Sequence, residues 1–195
     1  DDIGADAIKT GMLSTSSIVR TVSQELDKYD VQNLVVDPVM VAKSGDSLLE
    51  EEAIEAVKNL MIPLATVVTP NIPEAEVLTG MTIMSEQDMK TAAGILVHMG
   101  AKSVVVKGGH LDGPASDLFY DGSTYEVFTV DRIDTVNTHG TGCTFASAVA
   151  AGLAKGYGIR DSVAEAKLYI TESIRKSFAV GSGHGPLNHF HKFWR

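Results

Sequence analysis

The 195-residue sequence is poor in the features that mark several protein classes. It contains one cysteine, so no disulfide can form within the chain. It has no run of about 18 apolar residues, the length that a transmembrane helix needs, and only 6% of its residues are aromatic. Its formal net charge of −9 argues against a surface that binds nucleic acid or an anionic membrane. We therefore expect a cytoplasmic protein with neither nucleic acid nor membrane as a partner.

Several signatures of nucleotide and metal sites are also absent from the sequence. No lysine stands in the G-x-x-x-x-G-K-[ST] pattern, which excludes a P-loop enzyme. There is no G-x-G-x-x-G after a predicted strand, no H-E-x-x-H and no paired C-x-x-C. A phosphate site in so acidic a chain must depend on local features, namely helix ends, a metal ion and individual lysines.

Short apolar runs alternate with amphipathic segments, which is typical of βα units around a largely parallel sheet. The apolar content of 44% is sufficient for a full-sized core. The fold class that we predict is α/β, with a central, mostly parallel sheet flanked by helices. Strands are predicted at 7–12, 34–37, 65–70, 102–107, 116–120 and 125–129, and helices at 15–29, 50–61, 86–99, from Pro73, from Thr141 and from Arg160. Asp121-Gly122 predicts a hairpin turn between the last two strands.

The most informative segment is 137–148, where a turn with two glycines leads into a helix of small residues. Gly140 and Gly142 allow backbone N–H groups to converge without interference from a Cβ atom. The helix adds its unpaired N-terminal amides and the positive end of its dipole, which together favour an anion such as phosphate. Cys143, the only cysteine, lies at this junction. The alternative is an ordinary start of a helix with a structural cysteine.

Polar residues follow three of the predicted parallel strands at the points where these strands end. Asp37 closes the second strand, Asn71 and Glu74 follow the third, and Lys107 closes the fourth. Ligands of open parallel sheets bind beyond the carboxyl ends of the strands. Asp37 and Glu74 could hold Mg²⁺ through water, and Lys107 suits a phosphate oxygen. Surface salt bridges are the competing interpretation of the charged residues.

Taken together, these segments resemble the ribokinase-like superfamily, and specifically the bacterial hydroxymethylpyrimidine/phosphomethylpyrimidine kinases of thiamine biosynthesis. The resemblance covers nearly the whole chain. Four segments that occur in the family's order carry it most strongly: 36–45, 69–76, 107–110 and 137–144.

The resemblance implies a three-layer αβα kinase domain that uses ATP and Mg²⁺ in two steps. The first step phosphorylates 4-amino-5-hydroxymethyl-2-methylpyrimidine, and the second converts the monophosphate to the diphosphate. Gly140, Thr141, Gly142 and Cys143 match the family's catalytic anion hole, and Asp37 and Glu74 match metal-associated positions. Met12 and Val39 match positions that contact the pyrimidine, and the ATP-binding positions are matched by Lys107, Asn71, Thr138, Gly181 and His184.

Two departures from the superfamily's pattern bear on the substrate and on how much of the kinase domain this chain contains. Most sugar kinases of the superfamily have aspartate where this chain has Cys143, and cysteine there indicates a vitamin precursor as the substrate. The family's first strand and the residues that cover the pyrimidine have no counterpart here. We therefore expect residues 1–195 to form one kinase domain that lacks the N-terminal strand and helix portion, and a homodimer, because the family is often dimeric. A pyridoxine/pyridoxal kinase and a non-catalytic nucleotide-binding or scaffolding protein are the rival interpretations.

Overall fold

The computed structural model describes residues 2–40, 49–109 and 113–193. Six strands and six helices follow one another along this part of the chain. The strands are β1 (Ile8–Thr10), β2 (Leu34–Val36), β3 (Val67–Val68), β4 (Val104–Lys107), β5 (Ala115–Tyr120) and β6 (Tyr125–Val130). The helices are α1 (Ser16–Lys28), α2 (Glu51–Ala56), α3 (Ile72–Thr79), α4 (Glu86–His98), α5 (Thr141–Ala154) and α6 (Ile159–Arg175). The end of α2 continues as a π-helical turn, Val57–Met61, and a 3₁₀ turn, Ile62–Leu64.

The six strands form one sheet in the order β1-β2-β3-β4-β5-β6. The first four strands are parallel, and β5 and β6 are antiparallel to their neighbours. Each parallel strand therefore ends at the same edge of the sheet, and the chain returns through helices to begin the next strand. The register places Thr10 beside Val36 and Val36 beside Val68.

Alternating valines divide the core into two apolar layers, one on each face of the sheet. Val36, Val68, Val104 and Val106 face the layer that contains buried residues of α1, α2, α3 and α4. Val35, Val67 and Val105 face the opposite layer, where α5 and α6 supply the buried residues Phe145, Val149, Leu153, Val163 and Ile170. Both faces of the sheet are thus covered by helices. The predicted three-layer α/β architecture is confirmed.

Side-chain caps explain where several of the helices begin. Thr15 Oγ1 accepts a hydrogen bond from Ile18 N, and Ser85 Oγ accepts one from Asp88 N, so α1 and α4 begin at residues with satisfied first-turn amides.

Gly152 permits a close contact of α5 with α6, because a Cβ atom there would lie 2.7 Å from Ser162 Oγ. No helix in the described ranges has both the length and the apolar character to cross a bilayer.

The predicted elements are present, but the parallel strands are shorter than predicted. The strand expected at 65–70 pairs only over Val67–Val68, and the one expected at 7–12 only over Ile8–Thr10. Backbone pairing nevertheless reaches Thr66, whose N–H donates to Leu34 O at 2.9 Å, while its hydroxyl donates to Gln32 O and accepts from Leu34 N. The hairpin is confirmed: Asp121 Oδ1 accepts hydrogen bonds from the amides of Ser123 and Thr124, and Gly122 has a φ of 92°.

Candidate active site

The polar residues singled out in the sequence lie together at the carboxyl edge of the parallel strands. Hydrogen bonds continue past the regular strands here: Asp37 N donates to Thr10 O at 3.0 Å, and Lys107 N donates to Pro70 O at 2.8 Å. An isolated parallel bridge also pairs Asn71 with Lys107. The residues just beyond β1 to β4 are therefore held side by side, as expected for a ligand site in an open parallel sheet.

Asp37 is the buried anionic centre of this edge, with 1% of its surface exposed. Its Oδ1 accepts a hydrogen bond from Lys107 Nζ at 3.1 Å and another from Thr69 Oγ1 at 3.3 Å. Lys9 Nζ forms an ion pair with Oδ2 at 3.5 Å, but Oδ2 accepts no hydrogen bond in the described part of the chain. A buried carboxylate oxygen without a hydrogen bond is costly. It is therefore available to a further cation or a bound water.

Glu74 is the second buried carboxylate, with 3% of its surface exposed. It forms a capping box with Asn71: Glu74 Oε2 accepts from Asn71 N at 2.8 Å, and Asn71 Oδ1 accepts from Glu74 N at 2.9 Å. Burial raises the pKa of Glu74 from 4.5 to about 6, against the opposing effects of Lys107 and of backbone N–H groups. The nearby Asp37 charge also raises this pKa. Glu74 therefore changes its charge in the mildly acidic range.

Lys107 joins the acidic pair to the glycine turn. Its ammonium lies between Asp37 Oδ1, at 3.1 Å, and the start of α5, where a Cβ atom on Gly142 would be 3.1 Å from Nζ. Any larger residue at 142 would press on this ammonium. The carboxylates and the anion turn are thus on the same side of the sheet edge.

The turn has the geometry of an anion cradle. Gly140 is the N-cap residue of α5, lies in the left-handed region with a φ of 82°, and has no side chain to bond the first-turn amides. Thr141 N donates to Thr138 O at 3.4 Å. The amides of Gly142 and Cys143 donate to no acceptor within the described ranges. Free amides at the positive end of a helix dipole bind anions.

Cys143 is exposed to solvent. It opens onto a groove of about 630 Å³ between α5 and α6, which is also lined by Ser147, Ala151, Glu165 and Tyr169. Its thiol is therefore accessible to a substrate or to a thiol reagent.

The C-terminal segment around Gly185 lies against residues 136–139, which lead into the turn. His139 N donates to Gly185 O at 3.2 Å, and His184 Nδ1 is 3.2 Å from Val136 O. His184 thus lies beside the backbone of Val136, two residues before Thr138. Gly181 is exposed with a φ of 74°.

Met12 and Val39 lie just beyond the neighbouring ends of β1 and β2. Met12 is 55% exposed and Val39 is half-buried. Residues 41–45 and His110, which belong to the segments that resemble the kinase family, lie outside the described residues.

Lys9 and Thr69 were missed by the sequence reasoning, although both contact Asp37 or lie beside it. A signal for Lys9 was present in the sequence, since a lysine between Ile8 and Thr10 in a predicted buried strand requires a partner. Thr69 gave no comparable signal, because threonine is common in strands.

The described residues contain no group of three or more His, Cys, Asp and Glu side chains that could hold a metal ion. Mg²⁺ is usually held by one or two carboxylates together with waters and substrate phosphates. Asp37 Oδ2, buried without a hydrogen bond, and the Glu74 carboxylate fit that mode of binding.

Comparison with known proteins places the chain in a family. The profile described as phosphomethylpyrimidine kinase matches residues 1–188. The hydroxymethylpyrimidine/phosphomethylpyrimidine kinase of Bacillus subtilis (strain 168) is 47% identical over 192 residues, which cover 97% of this chain and 71% of that protein. The thiamine biosynthesis bifunctional protein ThiED of Geobacter sulfurreducens is 48% identical over 189 residues, 96% of this chain and 39% of that protein.

Solved structures agree with these relatives. The ADP complex of Bacillus subtilis pyridoxal kinase superposes with a TM-score of 0.90 at 40% identity, over 97% of this chain and 71% of that one. Phosphomethylpyrimidine kinase of Clostridium difficile gives a TM-score of 0.79 at 43% identity, over 89% and 71% of the two chains. The fold is therefore ribokinase-like, and the chain belongs to the phosphomethylpyrimidine kinase family.

Proposed function

We propose that this protein uses ATP to phosphorylate 4-amino-5-hydroxymethyl-2-methylpyrimidine and then its monophosphate, giving the diphosphate used in thiamine biosynthesis. The observation that carries the proposal is the position of Lys107, whose ammonium touches Asp37 and borders Gly142. One cation thus connects the acidic pair with the anion turn. Phosphoryl transfer depends mainly on such positioning and charge stabilisation.

The anion turn is the proposed place of the transferring phosphoryl group. The amides around Gly140, Thr141, Gly142 and Cys143 would stabilise the negative charge that its oxygens carry. Lys107 would neutralise a neighbouring ATP phosphate, and we assign Asn71, which pairs with Lys107, and Thr138, which leads into the anion turn, to the nucleotide. His184 and Gly181 are assigned to the nucleotide as well, and Met12 and Val39 to the pyrimidine.

Asp37 and Glu74 are the residues that we assign to Mg²⁺. When bound there, the ion would neutralise phosphate charge and orient the phosphate chain. Lys9 and Lys107 balance the charge of Asp37 on its two oxygens.

The two steps place different demands on Cys143. In the first, the hydroxymethyl oxygen forms a bond to the γ-phosphorus as the bond to the β–γ bridging oxygen breaks, ADP leaves, and the hydroxyl proton must be accepted. The Cys143 thiolate is the proposed base; the alternative is that Cys143 only shapes the anion turn. In the second step the acceptor is a phosphate monoester, already mostly ionised at neutral pH.

The test is a coupled assay of ADP release with the pyrimidine alcohol, with its monophosphate and without acceptor. We expect acceptor-dependent turnover with both pyrimidines and none when ATP is omitted. Bound nucleotide without turnover on either acceptor would contradict the proposal and favour a non-catalytic nucleotide-binding protein.

A pyridoxal kinase is the second candidate, because solved relatives with that description share the fold at about 40% identity. Pyridoxal and pyridoxine should be included in the same assay at matched concentrations. We expect a higher kcat/KM for the pyrimidine alcohol, and the opposite order would assign the protein to the second candidate.

We further propose a cytoplasmic homodimer. Light scattering of the purified protein would test the dimer, which should have twice the mass of one chain.

A further inference from the structure

A buried ion pair lies behind the site, outside the residues assigned above. Lys167 of α6 and Asp117 of β5 have side chains that are only 7% and 10% exposed, with Nζ 2.7 Å from Oδ2. Lys167 Nζ also donates to Ala115 O at 2.9 Å. Both ends of the pair are therefore removed from water and hydrogen-bonded.

Stability alone is a weak reason for such a pair. Taking two charges out of water costs about as much as their attraction returns, and apolar replacements of similar volume are often neutral or stabilising. A more specific role is indicated by the second oxygen of Asp117.

Asp117 Oδ1 accepts a hydrogen bond from Gly108 N at 3.1 Å. Asp117 is the register partner of Lys107 in the β4–β5 ladder. The carboxylate therefore fixes the backbone one residue beyond Lys107, where β4 ends. Gly108 is packed so tightly that a Cβ atom there would lie 2.1 Å from Ser116 O.

The next residue of this loop is also anchored. Arg132 Nη1 donates to Gly109 O at 2.9 Å, and its Nε donates to Gly113 O at 3.0 Å. The backbone that leaves Lys107 is thus held at two successive residues, first by a buried carboxylate and then by a guanidinium.

We infer that Asp117, held in place by Lys167, is a positioning residue for the nucleotide site: it fixes Gly108 so that the Lys107 ammonium stays between Asp37 and the start of α5. The inference rests on the proposed function for its assumption that nucleotide phosphates contact Lys107. It assigns Asp117 no contact with the substrate.

Two double variants of the full chain isolate the hydrogen bond to Gly108. Asp117→Asn/Lys167→Met removes both charges but keeps a side-chain oxygen for Gly108, whereas Asp117→Leu/Lys167→Met removes the oxygen as well. We expect the Asn/Met variant to bind ADP within about twofold of the unmodified protein, measured by calorimetry. We expect the Leu/Met variant to bind ADP at least about tenfold more weakly, since a small misplacement of a phosphate-binding group is costly.

Kinetics and a matched control separate positioning from general damage. In the Leu/Met variant the KM for ATP should rise more than kcat falls. Glu126→Gln/Arg160→Gln removes an exposed ion pair between β6 and α6, and ADP binding should stay within about twofold. Equal ADP affinity of the Asn/Met and Leu/Met variants would overturn the inference.

Folding failure is covered by a smaller substitution. If the Leu/Met variant does not fold, Asp117→Ala/Lys167→Met takes its place, and failure of both would also overturn the inference, because the pair would then serve the fold itself. The readout is ADP binding, so a protein that binds ADP without phosphorylating a pyrimidine would refute the proposed function and not this inference.

Discussion

At the scale of single residues, Cys143 has two possible roles that lead to different kinetics. It is exposed at the first turn of α5, one residue beyond the glycine that borders Lys107. A base is needed for the alcohol and hardly at all for the monophosphate, because the latter is already ionised.

We predict that Cys143→Ala lowers kcat for the pyrimidine alcohol by about 10²–10⁴-fold, the usual contribution of a general base. The loss with the monophosphate should be smaller. Ser147→Ala, one turn further along the same groove, is the control and should change neither rate by more than about twofold. Equal losses in both steps would reduce Cys143 to a structural part of the anion turn.

Glu74 gives a pH-dependent prediction. Its pKa of about 6 in the folded protein lies above the ordinary 4.5, so the folded state holds this proton more tightly than the unfolded state. The resulting stabilisation is complete below pH 4.5 and is lost as the pH rises through 6. Relative to Glu74→Gln, the unfolding free energy of the unmodified protein should fall by about 2 kcal/mol as the pH rises from 4.5 to neutrality. Urea unfolding of both proteins across this range measures it, and parallel pH curves would refute the prediction.

The ionisation of Glu74 should also affect the binding of Mg²⁺. Only the ionised carboxylate is a ligand for Mg²⁺, so the Mg²⁺ concentration that gives half-maximal activity should increase as the pH falls below about 6. An unchanged Mg²⁺ requirement between pH 5 and 7.5, within about twofold, would separate Glu74 from the metal.

At the scale of elements, the contact of α5 with α6 holds the anion turn against the sheet. Gly152 lies at that contact, and its position leaves no room for a methyl group beside Ser162. Gly94, in the middle of α4, is the contrasting case, because among the described residues a Cβ atom there would meet only Tyr125 Oη, at 3.8 Å.

We predict that Gly152→Ala destabilises the protein by about 1–3 kcal/mol through overpacking, in spite of the better helix propensity of alanine. Gly94→Ala, the matched control, should stabilise by up to about 1 kcal/mol from that propensity. Thermal or urea unfolding of the two variants measures the difference. If both substitutions change the unfolding free energy in the same direction, the result would contradict the tight packing of α5 against α6 at Gly152.

At the scale of the whole molecule, nucleotide binding should stabilise all layers together, since its proposed ligands come from both sides of the sheet. At a nucleotide concentration 100 times Kd, the unfolding free energy should rise by about 2.7 kcal/mol. Lys107→Met should abolish most of this increase. A thermal shift assay with ADP and Mg²⁺ measures both, and an undiminished shift in the variant would remove Lys107 from the nucleotide site.

Much of this architecture was predictable because its causes are local. Period-two valines and capped amphipathic helices identify βα units, and Asp121-Gly122 identifies the hairpin. Asp37, Glu74 and Lys107 were predicted to meet because parallel strands end at one edge. Lys9 beside Asp37, and Asp117 with Lys167, were not predicted: the sequence indicates that a buried lysine needs a partner, but side-chain direction decides which carboxylate it meets.

The cradle at Gly142 and the acidic pair also differ in when they become available. During synthesis the segments that carry Lys9, Asp37, Glu74 and Lys107 emerge first, whereas the turn that closes the site belongs to the last third of the chain. These four charged residues of the proposed site are therefore synthesised before the helix that completes the anion turn. Because the proposed nucleotide site needs both parts, we expect nucleotide to stabilise the protein only after α5 has docked.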